Sequence, residues 1–246
     1  MNFMAKNVFI TGVLGGIGSA LAKGFRESGY YVFGVDMRED FNGHCDRFLH
    51  FDIHQFVRDA AYRIKFTQIF DEVMPKLDVL VNNAAVQRLD KLENIKLEDW
   101  QETLNVNLTG PMLLSKIFLG RLEASNGCII NIASIHQQLT KPGFVSYATS
   151  KSALVGLTKA MAVDLAGRVR VNSISPAAIE TDMLRAGFND NEAAIDELRK
   201  IHPVQRIGYP NDVAKLALFL ASQNTGFVHG ANFLLDGGIS SVLKDL

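Results

Sequence analysis

Residues 7–18 read Asn7-Val8-Phe9-Ile10-Thr11-Gly12-Val13-Leu14-Gly15-Gly16-Ile17-Gly18, and this stretch decides the fold. The run 7–11 is short, apolar and rich in β-forming residues, and it stops at a glycine, the pattern of a buried parallel strand. Residues 19–28 then follow a helical period, with Ile17, Leu21 and Phe25 expected inward. A strand that feeds a glycine-rich turn into a helix N-terminus makes a phosphate cradle. Glycines let the backbone approach a pyrophosphate, and unpaired N–H groups with the helix dipole hold its charge. The spacing here is Gly-x-x-x-Gly-x-Gly, which differs from the Gly-x-Gly-x-x-Gly fingerprint of many dinucleotide sites.

The same alternation continues along the chain. Residues 30–35 form an expected second strand ending in Asp36, an acid eighteen residues past Gly18 and placed to accept from both ribose hydroxyls of a dinucleotide. Such an acid repels a 2′-phosphate and favours NAD over NADP, while Arg38 two residues on could accommodate that phosphate. A third strand is expected at 48–51, ending in Asp52. A long helix is expected from about Val57 to Met74 with Pro75 as its stop, then a strand at 77–81 running into Asn82-Asn83-Ala84-Ala85. Asparagines at a strand end are costly to bury unless bonded, so these two are expected to tie strands and loops together. Residues 97–120 read as helix interrupted at Asn105-Val106-Asn107, either a kink beside Gly110-Pro111 whose freed carbonyl binds water or an ordinary solvent-facing asparagine. Strands follow at 127–132, ending in Ala133-Ser134, and at 170–175, stopped by Pro176. Residues 177–204 have the irregular, polar character of a lid. A helix from about Asn211 to Ala221 and a strand at 232–235 close the series before Asp236-Gly237-Gly238. The expected architecture is α/β: one domain over residues 1–246, a doubly wound parallel sheet with helices on both faces.

Tyr147-Ala148-Thr149-Ser150-Lys151 carries the chemistry. A tyrosine and a lysine four apart are neighbours on a helix. A phenol titrates near pH ~10, and phenolate chemistry at neutral pH needs a drop of about 3–4 kcal/mol. A positive charge about 4 Å away supplies roughly 4 kcal/mol at an effective dielectric of about 20. Ser134 lies thirteen residues upstream, at a strand end. Ligands of a doubly wound sheet bind outside the strands' carboxyl ends, where Gly12, Asp36, Asp52, Asn82, Ser134 and Pro176 all fall.

Lys and Arg number 25 against 26 Asp and Glu, a balance that points to neither nucleic acid nor a membrane surface as partner. No apolar run approaches the ~18–20 residues of a membrane span, and the N-terminus has no signal-peptide pattern. Cys45 and Cys128 have no Cys-x-x-Cys partner and are expected as two buried thiols of a cytoplasmic protein. His44, His50 and His54 lack the spacing of zinc ligands, so no metal is expected.

Taken together these motifs resemble a classical short-chain dehydrogenase/reductase, whose pattern spans Thr11 to Gly238. The matching residues are Thr11-Gly12-x-x-x-Gly16-x-Gly18, Asp52-Ile53, Asn82-Asn83-Ala84, Asn107, Ser134, Tyr147-x-x-x-Lys151, Asn172, Arg206-x-Gly208-x-Pro210 and Asp236-Gly237-Gly238. Ala85 and Ala177 each stand where the family has glycine, a change of one methyl. The resemblance implies a Rossmann-type fold and an NAD(P)-dependent oxidoreductase that interconverts a secondary alcohol and a carbonyl by hydride transfer. It implies Tyr147 as general acid/base, Lys151 as the group that lowers its pKa and bonds the nicotinamide ribose, and Ser134 as hydrogen-bond partner of the substrate oxygen. Asn107 would hold a water linking Lys151 to solvent. Asp52 and Ile53 would cap the adenine, and Ile179 and Thr181 would meet the carboxamide. Gly12, Leu14, Gly16, Ile17, Gly18, Asp36, Asn83, Ala84 and Pro176 complete the expected cofactor contacts. A homotetramer or dimer is implied as well, with Met112, Leu157 and Met161 as candidate interface positions.

The substrate pocket is expected to be lined by residues after Ala85, by 135–145 and by the lid, with Gln87, Arg88, His136, Gln137 and Gln138 polar and Phe144 and Phe188 apolar. Ser134-Ile135-His136 with Phe144-Val145-Ser146-Tyr147 is similar to bacterial sugar dehydrogenases, which implies a sugar or polyol substrate. Two alternatives share the scaffold: a 3-oxoacyl-(acyl-carrier-protein) reductase, and a dinucleotide-binding sensor without turnover. The retained Tyr147 and Lys151 count against the sensor.

Overall fold

In the computed structural model, which describes residues 6–39, 43 and 45–243, the opening run is strand β1 (Asn7–Thr11). Alternate residues of a strand face opposite sides, and here both sides are apolar. Val8 and Ile10 enter one core and Phe9 the other, the pattern of a strand covered on both faces. It is joined by β2 (Tyr31–Asp36), β3 (Arg47–His50), β4 (Val79–Asn82), β5 (Cys128–Ile132), β6 (Arg170–Pro176) and β7 (Asn232–Leu235). These form a seven-stranded sheet of order β3-β2-β1-β4-β5-β6-β7 in which every pair is parallel. The order reverses between β1 and β4, so a crevice opens there at the strands' carboxyl ends. This is the expected Rossmann-type doubly wound sheet.

The helices are α1 (Gly16–Glu27), α2 (Ile53–Arg58), α3 (Ala60–Val73), α4 (Leu97–Leu104), α5 (Gly110–Ala124), α6 (Val145–Leu165), α7 (Asp182–Gly187), α8 (Glu192–Ile201) and α9 (Pro210–Ala221). One face of the sheet is covered by α1 and α9, whose Leu21, Phe25, Val213 and Leu220 pack on Val8, Ile10, Val79 and Ile130. The other face is closed by Phe66, Phe70, Leu114, Phe118 and Leu165 of α3, α5 and α6. Phe9 sits at its centre, with ring centroids 5.6 Å from Phe33, 5.3 Å from Phe70 and 4.8 Å from Phe118.

Three local expectations are corrected. The long helix expected from Val57 to Met74 is two helices, because Asp59 takes an extended backbone and caps α3, accepting from Ala61 N at 2.8 Å and Tyr62 N at 3.1 Å. Asp52 caps α2 in the same way, accepting from Gln55 N at 3.1 Å, so that helix begins four residues earlier than expected. Ile17 packs against the core beneath α1 but is not enclosed by it. It is half-buried on the crevice side of α1, where Ala22 takes the inward place beside Leu21 and Phe25. The third concerns cysteine: Cys128 is buried as expected, but Cys45 is only half-buried.

The interruption expected at Asn105–Asn107 is a π-helical turn over Asn105–Thr109 between α4 and α5, with Gly110 N–H donating to Asn105 O five residues back. Pro111 explains it: a proline has no N–H to give the carbonyl four residues earlier, which belongs to Asn107. Residues 177–204 hold α7 and α8. Glu180 pairs with Arg185 and, at 3.4 Å, with Arg199, and Glu192 pairs with both arginines at 3.2 and 2.7 Å.

Phe9→Ala should lower stability by about 3–5 kcal/mol, the cost of an unfilled aromatic site in a core. The check is urea unfolding, with the midpoint moving down and the slope unchanged.

Candidate active site

The glycine turn is shaped by contacts that leave no room for side chains. Gly12 has φ +66°, and a Cβ there would come within 2.8 Å of Ala84 Cα. A Cβ on Gly18 would lie 2.0 Å from the Gly12 carbonyl oxygen. The turn is anchored to the tip of β2: Gly12 N and Val13 N donate to Val35 O at 2.8 and 3.2 Å, and Leu14 N donates to the Asp36 carboxylate at 3.0 Å. Asp36 also accepts from Arg38 N at 3.0 Å and forms an ion pair with the Arg38 guanidinium at 3.2 Å. On the other side, Asn83 Nδ2 donates to Thr11 O at 2.9 Å and Gly12 O at 3.1 Å, and the Thr11 hydroxyl accepts from Asn83 N and Ala84 N. Asn82 bonds Asn131 across β4 and β5 at 2.8 Å. Both asparagines tie strands to loops, as their positions suggested.

A cavity of about 360 Å³ runs along this turn. Gly12, Gly16, Ile17, Gly18, Asp36, Asp52, Ile53, Asn83, Ala84 and Thr181 of the expected contacts line it. His54, Glu102 and Met183 line it too; they come from segments with no cofactor signal of their own. Leu14 lies outside the lining and contributes its backbone N–H to Asp36. The residues fit an extended dinucleotide: a turn whose glycines bare the backbone at a helix N-terminus, an acid at the β2 tip, and a groove continuing past Asp52.

A second cavity of about 400 Å³ adjoins the first through Ile17, Ala85, Thr181 and Met183. Ser134, Tyr147, Lys151, Pro176 and Ile179 all line it. Gln87, His136, Phe144 and Phe188 are in its wall as expected, whereas Arg88, Gln137 and Gln138 are not. Arg88 is held by Glu102 at 2.6 Å, and Gln137 and Gln138 belong to the turn beyond His136. Thr140 and Lys141 of 135–145 and Leu198 and His202 of the lid line the cavity within the expected ranges, whereas Ile239 was not expected, since only the fold brings the chain after β7 to this wall.

Ser134 leaves β5 with its hydroxyl accepting from His136 N at 3.2 Å, which directs its own proton elsewhere. Tyr147 lies in the first turn of α6. One turn on, Lys151 is 2 % exposed and donates from Nζ to Ile132 O at 2.7 Å, with Nζ 5.7 Å from the Tyr147 ring centroid. Burial pushes the Tyr147 phenol up, and the Ser134 hydroxyl draws it part of the way back. Burial pushes Lys151 down to about 7. The direction for Tyr147 is opposite to the one expected from its lysine neighbour. The buried ammonium is desolvated itself and turned to a backbone carbonyl, so the cost of burying both groups outweighs their mutual effect. Burial, and next the charge of Lys141, push His136 down to about 4, and its ring stacks on Phe144 at 4.2 Å.

Asn107 lines neither cavity. Its buried side chain donates to Val86 O and Ser150 Oγ, each at 3.0 Å, and accepts from Val86 N at 2.9 Å.

The profile of the family described as enoyl-(acyl carrier protein) reductase matches residues 12–240. The chain is a classical short-chain dehydrogenase/reductase. It is 34% identical over 243 residues to D-threitol dehydrogenase of Mycolicibacterium smegmatis, covering 95% of this chain and 92% of that protein. It is 32% identical to NAD-dependent glycerol dehydrogenase of Listeria innocua, covering 96% and 94%. A 3-oxoacyl-[acyl-carrier-protein] reductase of Thermotoga maritima is 33% identical, covering 97% and 99%. Among solved structures, aldohexose dehydrogenase of Thermoplasma acidophilum superposes with a TM-score of 0.92 at 29% identity, covering 98% and 96%. This short-chain dehydrogenase is an NAD(P)-dependent oxidoreductase that interconverts alcohols and carbonyls. Among the described residues, no helix is long and apolar enough to cross a membrane.

The lowered Lys151 pKa sets a stability expectation. Between about pH 7 and the usual lysine value of 10.5, the unfolded chain holds a proton that the folded protein has released, so stability rises with pH through that window. Below pH 7 the full burial cost stands, at most about 5 kcal/mol for this shift. Lys151→Met should therefore abolish turnover yet raise the melting temperature, and its advantage over the parent should shrink as pH goes from 6 to 9. Thermal unfolding across that range checks it.

Proposed function

We propose that the enzyme oxidises a secondary alcohol of a sugar- or polyol-type substrate with NAD, using Ser134, Tyr147 and Lys151. The observation that carries this reading is the meeting of these three side chains in one cavity that adjoins the dinucleotide groove. When bound, the dinucleotide supplies the hydride-accepting carbon. Tyr147 takes the proton of the substrate hydroxyl in oxidation and returns it in reduction. Ser134, its lone pair engaged by His136 N–H, donates to the substrate oxygen where negative charge develops. Lys151 bonds the ribose, and in its protonated form its positive charge favours the phenolate of Tyr147 one turn earlier on α6. Asn107 acts through its backbone carbonyl, to which Pro111 has no N–H to give, as the seat of a water that connects Lys151 to solvent.

Asp52 and Ile53 border the adenine, Ile179 and Thr181 the carboxamide, and Pro176 the nicotinamide. Residues 177–204 serve as the lid of a single domain. Gln87, His136 and Thr140 support a hydroxylated substrate, as do the relatives acting on threitol, glycerol and aldohexoses. A second reading, reduction of 3-oxoacyl groups on acyl-carrier protein, is supported by Leu139, Leu184 and Leu198 in the same wall and by the Thermotoga maritima relative. Turnover on polyols, sugars and acetoacetyl thioesters separates the two. We place the enzyme in the cytoplasm as a homotetramer or dimer, with exposed Met112 and half-buried Leu157 and Met161 near the interface.

Tyr147→Phe should lower kcat by about 10²–10⁴-fold, the usual share of a general acid/base, while leaving NADH affinity within about threefold. Steady-state kinetics with fluorescence titration of NADH check it.

The preference for NAD rests on Asp36, whose carboxylate is fixed by Leu14 N–H and occupies Arg38. A 2′-phosphate would have to displace that carboxylate from Arg38 and sit beside its charge. Asp36→Ser should raise the KM for NAD at least tenfold and lower that for NADP, measured as the ratio of kcat/KM for the two.

A further inference from the structure

The substrate cavity is electrostatically one-sided. Among the described residues, no carboxylate lines it; its titratable side chains are His136, Lys141, Tyr147, Lys151 and His202. Lys151 is turned to the Ile132 carbonyl, and His202 is buried with Nδ1 at 2.7 Å from Leu198 O. Lys141 is different. It is exposed at the cavity mouth, and among the described residues it has no ion-pair or hydrogen-bond partner. Its ammonium lies 4.8 Å from the Phe144 ring centroid and 5.4 Å from that of Phe188, one ring on the wall beside Tyr147 and the other at the end of α7. Two aromatic faces hold a flexible side chain in place without neutralising it. Its field reaches the interior, since it is one of the two causes that keep His136 neutral. A fixed cation on a pocket free of carboxylates is complementary to an anion.

We propose that the substrate is an anionic polyol: beyond the reacting secondary alcohol it carries a carboxylate or phosphate, and Lys141 receives that group at the mouth of the cavity. The inference rests on the sugar- or polyol-type reading above. It names Lys141 as a specificity-determining residue and adds nothing to the proton chemistry of Tyr147.

The test uses the full chain with NAD and three six-carbon probes that share their secondary hydroxyls: D-glucitol, D-gluconate and D-glucitol 6-phosphate, with D-threitol and D-threonate as a shorter pair. One of the anions should exceed its neutral parent by 10- to 100-fold in kcat/KM, chiefly through KM, the range of a charge-assisted hydrogen bond. Which anion wins tells carboxylate from phosphate. Lys141→Gln should collapse the anion-to-neutral ratio to about one, Lys141→Glu should invert it, and Lys141→Arg should restore most of it. Added salt should weaken the preference in the parent and in Lys141→Arg and leave the Lys141→Gln ratio unchanged. Neutral polyols turned over as well as both anions, or a ratio unchanged in Lys141→Gln, would overturn the inference and leave the polyol reading standing. Turnover of acetoacetyl thioesters with none on any polyol, charged or neutral, overturns both.

Discussion

The buried Lys151 ammonium on the Ile132 carbonyl is the contact on which the site depends. An amine 2 % exposed is held 2.7 Å from the last residue of β5, so α6 is fixed in height and rotation against that strand. Given that contact, the residue one turn earlier on α6 must stand over the end of β5, where the chain leaves as Ser134. Neither neighbour has to be placed separately. The cost is a lysine whose charge is disfavoured by its surroundings, and a protein that keeps it accepts lower stability for function.

The carboxyl edge of the sheet is built from short polar side chains that satisfy one another. Thr11 holds the backbone of Asn83 and Ala84, Asn82 bonds Asn131, and Asn131 in turn bonds Thr158 at 2.8 Å. A second set lies at the amino end of β7, where Asn172 donates to Val228 O and accepts from Ala231 N, while Ser173 and Ser175 both donate to Asn232. Each bond is worth only about 1 kcal/mol net, but breaking one leaves a buried partner at a cost of about 1–3 kcal/mol. The network therefore fixes geometry more than it adds stability. It keeps the strand ends in register beneath a crevice that has to present a glycine turn and a proton donor at set positions.

How much of this was legible in the sequence follows from how local each signal is. Strand β7 and the glycine turn were readable to the residue, because apolar runs and glycines act within a few positions. The split of α2 from α3 was missed, since Asp59 reads as an ordinary polar residue until its carboxylate is seen capping a new helix. Ile17 packs against the core as its period suggested and also lines the cleft, a second exposure that helical period cannot tell from burial. Arg88 was expected in the pocket and instead pairs with Glu102, fourteen residues away in α4. The motif residues Ser134, Tyr147 and Lys151 were legible as a pattern. Ile239 was not, because only the return of the chain after β7 brings it to the cavity.

Asp36 shows why cofactor choice and turn geometry are hard to separate in this protein. Its carboxylate accepts the N–H of Leu14, inside the glycine turn, and also pairs with Arg38 on its own strand tip. One group therefore helps shape the cradle, neutralises the nearest cation and presents negative charge where a ribose would lie. Removing it changes all three at once. A substitution meant only to admit a 2′-phosphate would release Arg38, which helps, and free Leu14 N–H, which loosens the turn that must hold the pyrophosphate. A replacement that keeps an oxygen near Leu14, such as serine, separates these effects better than alanine, because it preserves a hydrogen-bond acceptor while removing the charge.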